Sequence, residues 1–153
     1  KGNVYLPKEE EFLFLPQRPY LPLGSLRQAI SYPVVEEVIS EKYSDEEIKE
    51  ILIACKLENL ADKLDIVDDW SRILSLGEQQ RIAFVRILLY RPEFVSNNHK
   101  SALDEELEGK LYDMLKMYLP NTRIISIAHR SSLIAKHQAI LRLKEKGCWE
   151  IHE

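Results

Sequence analysis

Leu74-Ser75-Leu76-Gly77-Glu78-Gln79-Gln80-Arg81, continued by Ile82-Ala83-Phe84-Val85-Arg86-Ile87-Leu88-Leu89-Tyr90-Arg91-Pro92, is the stretch from which the rest of the chain is read. Ser75 followed three positions later by Glu78 is a capping box. The serine oxygen takes the N–H of the third helical residue, and the glutamate reaches back to the serine N–H. Behind it Ile82, Val85 and Leu89, with Ala83 and Leu88 beside them, recur at helical spacing. Arg86 interrupts that apolar run, and Arg91-Pro92 ends the helix because proline cannot continue one. A helix start also presents unpaired N–H groups and partial positive charge, which makes Ser75, Gly77 and Glu78 a candidate anion site. On that physics alone most such boxes are only caps, worth about 1 kcal/mol.

C-terminal to this helix, Phe94-Val95 begins a strand that turns polar at once in Ser96-Asn97-Asn98-His99-Lys100. The pattern predicts an abnormally short strand, since unpaired polar groups oppose burial in a sheet. A helix is expected from about Glu105 to Leu119, with Leu107, Leu111, Met114, Leu115 and Tyr118 on one face and Pro120-Asn121 as its breaker. Ile124 to Ala128 reads as a second buried strand. Ile140–Leu143 and Cys148–Ile151 alternate around Lys144-Glu145-Lys146-Gly147 as a closing hairpin.

N-terminal to it, Phe12-Leu13-Phe14-Leu15 is a short strand closed by Pro16, and the prolines and glycine of Gln17 to Gly24 predict a stiff loop. Ser25 caps a short helix that Tyr32-Pro33 stops. Ser44-Asp45-Glu46-Glu47 is another capping box, followed by Ile48, Ile51, Leu52 and Cys55 at helical spacing. Leu57, Leu60 and Leu64 extend a helix-rich region, and no strand signal falls between about 34 and 74. Strands and helices alternate afterwards, so the fold class is α/β with an inserted helical subdomain.

The composition of the 153 residues, 45% hydrophobic and 30% charged, is that of a globular chain able to bury a core without staples. A formal net charge of −4 and a pI near 5.7 argue against nucleic acid as the main partner. Cys55 and Cys148 form no metal or disulfide pattern and are expected to be reduced thiols. No apolar run approaches the roughly 18 residues of a membrane span. Lys1 stands first with no leader pattern behind it, which points to a start other than the natural one.

The segment Leu74 to Arg81, with Ala83, Arg86 and Pro92 behind it, resembles the signature motif of ABC-type ATPases. Phe14-Leu15-Pro16-Gln17-Arg18-Pro19-Tyr20, together with the Leu76-Gly77 pair, resembles the transporter group that includes the peroxisomal fatty-acyl and cobalamin transporters and their bacterial relatives. Ser101-Ala102-Leu103-Asp104 looks like that family's D-loop, and Ile125-Ser126-Ile127-Ala128-His129-Arg130 like its switch segment. The resemblance implies part of a P-loop NTPase domain of ABC type: a glutamine-loop segment in 1–33, a helical subdomain in 34–74, and the signature helix, D-loop, switch strand and hairpin in 75–153. It implies ATP and Mg²⁺ in a complete dimeric domain, a second ATP-binding domain and a transmembrane domain as partners, and a place on the cytoplasmic face of a membrane.

By the same resemblance, Gln17 reaches the magnesium and the attacking water, and His129 contacts the γ-phosphate. Ser75, Gly77 and Glu78 face an ATP held by the other subunit, and Asp104 lies in the segment crossing the dimer interface. His137 is structural, and Trp70 packs rather than binds.

Two departures qualify this picture. No Gly-x-x-x-x-Gly-Lys-[Ser/Thr] phosphate loop begins at any of the five glycines, and Gly109-Lys110 runs into Leu111 inside a predicted helix. Where relatives carry Asp-Glu after an apolar strand, this chain has Ser96 to Lys100, which removes the usual partners of magnesium and water. The expectation is therefore an ATP-binding domain segment of an ABC transporter, coupling ATP binding and hydrolysis to transport in the complete protein but inactive in isolation. The alternative is a non-catalytic interaction module derived from such a domain. A DNA-repair ATPase is disfavoured by the charge and by the absence of coiled-coil heptads.

Overall fold

The computed structural model describes residues 8, 11–98, 103–127 and 131–152. Among them, three parallel strands form the main sheet in the order β1-β4-β5: β1 (Phe12–Leu15), β4 (Phe94–Asn98) and β5 (Arg123–Ile127). Two small antiparallel pairs flank it. β2 (Gly24–Ser25) pairs with β3 (Val67–Asp68), and β6 (Ile140–Leu143) with β7 (Trp149–His152). The helices are α1 (Leu26–Ser31), α2 (Glu36–Lys42), α3 (Asp45–Ala54), α4 (Trp70–Ile73), α5 (Leu76–Tyr90), α6 (Glu105–Tyr118) and α7 (Ser131–Ile134). No helix among the described residues is long and apolar enough to cross a membrane.

α5 is the spine. Gln80 and every residue from Ile82 to Leu89 are buried, so the helix is enclosed on all sides rather than along one stripe. It packs on α1, α3 and α6. One apolar cluster runs from Leu15 and Val95 on the sheet through Ile82, Val85 and Ile87 to Leu26, Ile48, Leu52 and Leu111. The three capping boxes form as their sequences require. Ser25, Ser44 and Ser75 each accept from the N–H three residues on, while Gln28, Glu47 and Glu78 return to the cap N–H.

Gly24 is fixed by its surroundings. Its φ of 143° is a conformation that side chains rarely adopt, and a Cβ there would meet Gln28 Oε1 at 2.0 Å. Its carbonyl accepts the indole N–H of Trp70 at 3.2 Å, so the buried Trp70 joins α4 to the start of α1 and is a packing residue.

Several expectations are corrected. The strand beginning at Phe94 is not short: it runs five residues to Asn98 and is the central strand. Its polar residues are accommodated because the buried Asn97 Nδ2 donates to Tyr112 Oη at 2.9 Å. Tyr112 Oη and Ser126 Oγ share a hydrogen bond of 2.9 Å, and His137 Nε2 lies 3.0 Å from the same Ser126 oxygen. The other nitrogen of His137, Nδ1, is 2.8 Å from the Leu133 carbonyl, which makes this histidine structural. A connected polar network removes the burial penalty that an isolated asparagine would carry.

A strand does lie between residues 34 and 74. β3 is held by backbone pairing with β2 while Val67 stays exposed, so no apolar pattern announces it. Leu57, Leu60 and Leu64 are buried, but not on a continued helix. Lys56 has φ 59°, and Leu57 N–H bonds Leu52 O at 2.9 Å, closing α3 before the chain turns back through a 3₁₀ turn at Glu58–Leu60. On α6, Tyr118 is exposed while Glu108 is buried beside Leu111 and Leu115.

β5 is not the buried strand that its apolar residues suggest: Ile124 and Ser126 are half-buried on one face and the other face is exposed. By register, Leu15, Asn97 and Ser126 share the inner face, while Phe14, Ser96 and Ile125 share the outer one. Phe14, Ile125 and Ile127 are 51%, 58% and 60% exposed. Cys55 is buried and Cys148 exposed, both as free thiols, and burial pushes the Cys55 thiol up to about 12.

Candidate functional site

The start of α5 faces outward. Ser75 is exposed and Gly77 half-buried. Ser75 Oγ accepts from Glu78 N–H at 3.3 Å and donates to Glu78 Oε2 at 2.7 Å, while Ser75 N–H donates to the same carboxylate oxygen at 2.9 Å. Asn59 Nδ2 donates to Glu78 Oε1 at 3.2 Å. Partial burial pushes the Glu78 carboxyl up, but the Ser75 hydroxyl and N–H, Asn59 and the charge of Arg81 outweigh it and hold the group below its ordinary value. Glu78 is thus ionised at neutral pH and locks the geometry of the cap.

The N–H of Glu78 goes to Ser75 Oγ and that of Gln79 to Ser75 O. The N–H groups of Leu76 and Gly77 are left as the outward donors of the first turn. Gly77 is not demanded by this chain's own packing, since a Cβ there would meet Leu103 Cδ2 at an ordinary 3.8 Å.

That contact places the segment at Leu103–Asp104 beside the start of α5. Asp104 is exposed and is the N-cap of α6, its Oδ1 accepting Leu107 N–H at 2.8 Å. Gln17 is exposed in the loop after β1, and its carbonyl accepts from Gln80 Nε2 at 3.0 Å. Ser75, Gly77 and Glu78 therefore share one helical turn, Asp104 follows a residue in reach of that turn, and Gln17 is tied to the same helix two positions beyond Glu78. His129, together with Ser101 and Ala102, lies outside the described residues. Among the described residues no group of three or more His, Cys, Asp or Glu could hold a metal ion.

Three participants were not singled out as site residues by sequence reasoning: Asn59, which braces Glu78, and Gln80 and Arg86. Arg86 is buried with no carboxylate beside it among the described residues. Its Nε and Nη2 donate to Ala29 O at 3.2 and 2.6 Å, Nη2 also donates to Tyr20 O at 2.7 Å, and the guanidinium lies 5.3 Å from the Tyr32 ring centroid. Burial pushes its pKa down to about 10, so it stays cationic at neutral pH. The available signal was its position, an arginine inside an apolar helical run that leaves no solvent-facing side. Asn59 had no signal, because its partner is nineteen residues away.

These features define a mixed α/β segment in which a capped helix start, a loop glutamine and the turn that caps α6 adjoin one buried helix. No family model matches the chain. An uncharacterized ABC transporter ATP-binding protein of Haemophilus influenzae is 42% identical over 152 residues, covering 99% of this chain and 25% of the relative. An ABC transporter D family member 2 of Dictyostelium discoideum is 34% identical over 154 residues, 97% of this chain and 20% of its own length. Among solved structures, a bacterial Atm1-family ABC exporter with ATP bound matches with a TM-score of 0.69 at 25% identity, over 86% of this chain and 23% of that one. The chain belongs with the ABC transporter ATP-binding proteins, and its relatives include the D family. It spans between 11% and 25% of the length of the relatives it matches.

Proposed function

We propose that this chain is the signature-bearing part of a transporter's ATP-binding domain, and that Ser75, Gly77 and Glu78 form the wall that closes over an ATP seated in a second ATP-binding domain. The observation that carries the reading is the outward helix start, with Leu76 and Gly77 N–H groups and a serine hydroxyl at the positive end of a buried fifteen-residue helix. The residues fit the terminal phosphate of a nucleotide approached from outside. They do not supply a phosphate loop or a magnesium ligand set, so ATP and Mg²⁺ belong to the complete dimeric domain. Gln17 and His129 are the residues proposed to act at the magnesium and attacking water, and Asp104 at the interface. In the complete protein this would couple ATP binding and hydrolysis to transport.

The second proposed partner is a transmembrane domain, which would hold the chain at the cytoplasmic face of a membrane. Exposed Tyr20 and Leu23, close to Gln17 in sequence, and Val35 and Val38 at α2 offer apolar surface for it. In isolation the chain should not turn over ATP, because helix-end attraction of about 0.3 to 2 kcal/mol does not replace a phosphate loop.

The second reading, a non-catalytic interaction module, draws on the segment beginning in β4. Where the resemblance calls for carboxylates this chain has Ser96 to Lys100, and within it the Asn97 amide donates to Tyr112.

Titration of the chain with an intact ABC ATP-binding domain, with and without a nonhydrolysable ATP analogue, tests the trans-acting role. The expected result is tighter association with nucleotide. Gly77→Ala sharpens the test. It should leave the fold intact or slightly steadier, by up to about 1 kcal/mol from helix propensity, yet abolish most of the nucleotide effect by crowding the phosphate. Equal affinity with and without nucleotide would leave the interaction module standing instead.

A further inference from the structure

Two buried polar side chains of α5 point at one loop. Gln80, 8% exposed, donates from Nε2 to the Gln17 carbonyl at 3.0 Å. Arg86, 6% exposed, donates from Nη2 to the Tyr20 carbonyl at 2.7 Å and to Ala29 O at 2.6 Å. Pro19 lies between these anchors and Pro16 and Pro22 flank them, and none of the three has an N–H to pair. A proline-interrupted loop of this kind has few backbone bonds of its own, so its position is set by whatever holds its carbonyls. Arg86 is unusual in that role. A buried guanidinium normally faces a carboxylate, and here its forked donors are met by backbone oxygens and an aromatic face instead.

We infer that Gln80 and Arg86 are positioning residues that lock the Gln17–Tyr20 loop to the helix opened by Ser75, so that a force on the helix start is delivered to Gln17. The lock itself needs no nucleotide. Its consequence for ATP sensing rests on the reading proposed above.

Amide hydrogen exchange on the full chain tests the lock directly. Gln80→Met keeps length and apolar contact but removes the donor; Arg86→Lys keeps the charge but loses the fork. In Gln80→Met, exchange at Gln17, Arg18, Tyr20 and Leu21 should accelerate about tenfold while β5 and α6 amides stay unchanged. Arg86→Lys should produce a smaller acceleration centred on Tyr20 and Leu21. A uniform acceleration across all elements, or none in the loop, would overturn the inference, because a merely structural role destabilises the molecule without singling out this loop.

A second arm adds an intact ATP-binding domain and a nonhydrolysable ATP analogue. In the unsubstituted chain, protection should rise both at 76–79 and at the loop; in Gln80→Met it should rise at 76–79 alone. Loop protection that persists fully in Gln80→Met counts against the lock. Absence of protection at 76–79 in the unsubstituted chain counts against the nucleotide reading, and the first arm then decides the lock by itself.

Discussion

Two regions of the molecule differ in how their apolar surface is covered. In one, α1, α3 and the turns around Leu57, Leu60 and Leu64 bury Leu26, Ile30, Ile48, Leu52 and those three leucines almost completely in the core they share with α5. In the other, the β1-β4-β5 sheet buries one face only, and the hairpin carries Leu141, Leu143, Trp149 and Ile151 all more than half exposed. The hairpin residues stand opposite one another in pairs, Leu141 with Ile151 and Leu143 with Trp149, so they form one apolar face rather than scattered exceptions. The helical side covers most of its core within the described residues, while Val35, Val38, Ile53 and Ile73 stay at its surface. The sheet side and the hairpin retain surface of the kind that a further chain segment or another protein covers. A chain homologous to between 11% and 25% of its relatives' length can thus hold a well-packed half and an open half together.

The contrast is broken most severely by cutting into the well-packed side. Ile87→Ala, in a fully buried position on α5, should cost about 3 kcal/mol by loss of transfer energy and creation of a cavity, read as a drop in the denaturant midpoint. Next comes the polar network that lets β4 lie at the centre of the sheet. Tyr112→Phe removes the oxygen shared by Asn97 and Ser126 and should cost about 1 to 3 kcal/mol in the same measurement.

A smaller effect is expected at the helix start. Ser75→Ala should cost about 1 kcal/mol at neutral pH. Because the folded Glu78 carboxyl lies below its ordinary value, its contribution is complete above the unfolded glutamate pKa and is lost as pH falls through the folded one. The gap between Ser75→Ala and the unsubstituted chain should therefore narrow in acid, as a pH series of unfolding curves would reveal. Smallest of all, Ile125→Thr on the open sheet face should move stability by no more than about 0.5 kcal/mol while lowering self-association in sedimentation velocity. A loss comparable to Ile87→Ala would mean that the face is covered after all.

Much of the helical side was legible from local rules. Ser25, Ser44 and Ser75 mark their helices because a side-chain oxygen and an N–H three residues on need nothing distant. The spacing of Ile82, Val85 and Leu89 likewise reports burial in one turn-by-turn pattern. The polar end of β4 was misread because the partner that makes Asn97 tolerable is fifteen residues ahead, on another element. β3 escaped for a related reason: its two residues are a strand by virtue of β2 alone. At the candidate site, the Ser75–Glu78 cap was readable as a cap, whereas the tethering of Gln17 through Gln80 joins residues 63 positions apart and left no trace in spacing.

What the residues alone determined here are the features that act within a few positions: where helices begin and end, which stripe is apolar, and which motifs the chain shares with its relatives. Tertiary structure decided that α5 would be enclosed, that a buried arginine would grip two carbonyls, and that a polar strand would sit at the middle of the sheet. Those outcomes depend on pairing groups far apart in the chain. The cost of burying a donor or a charge is set by the partner it meets in space, which composition and periodicity do not encode.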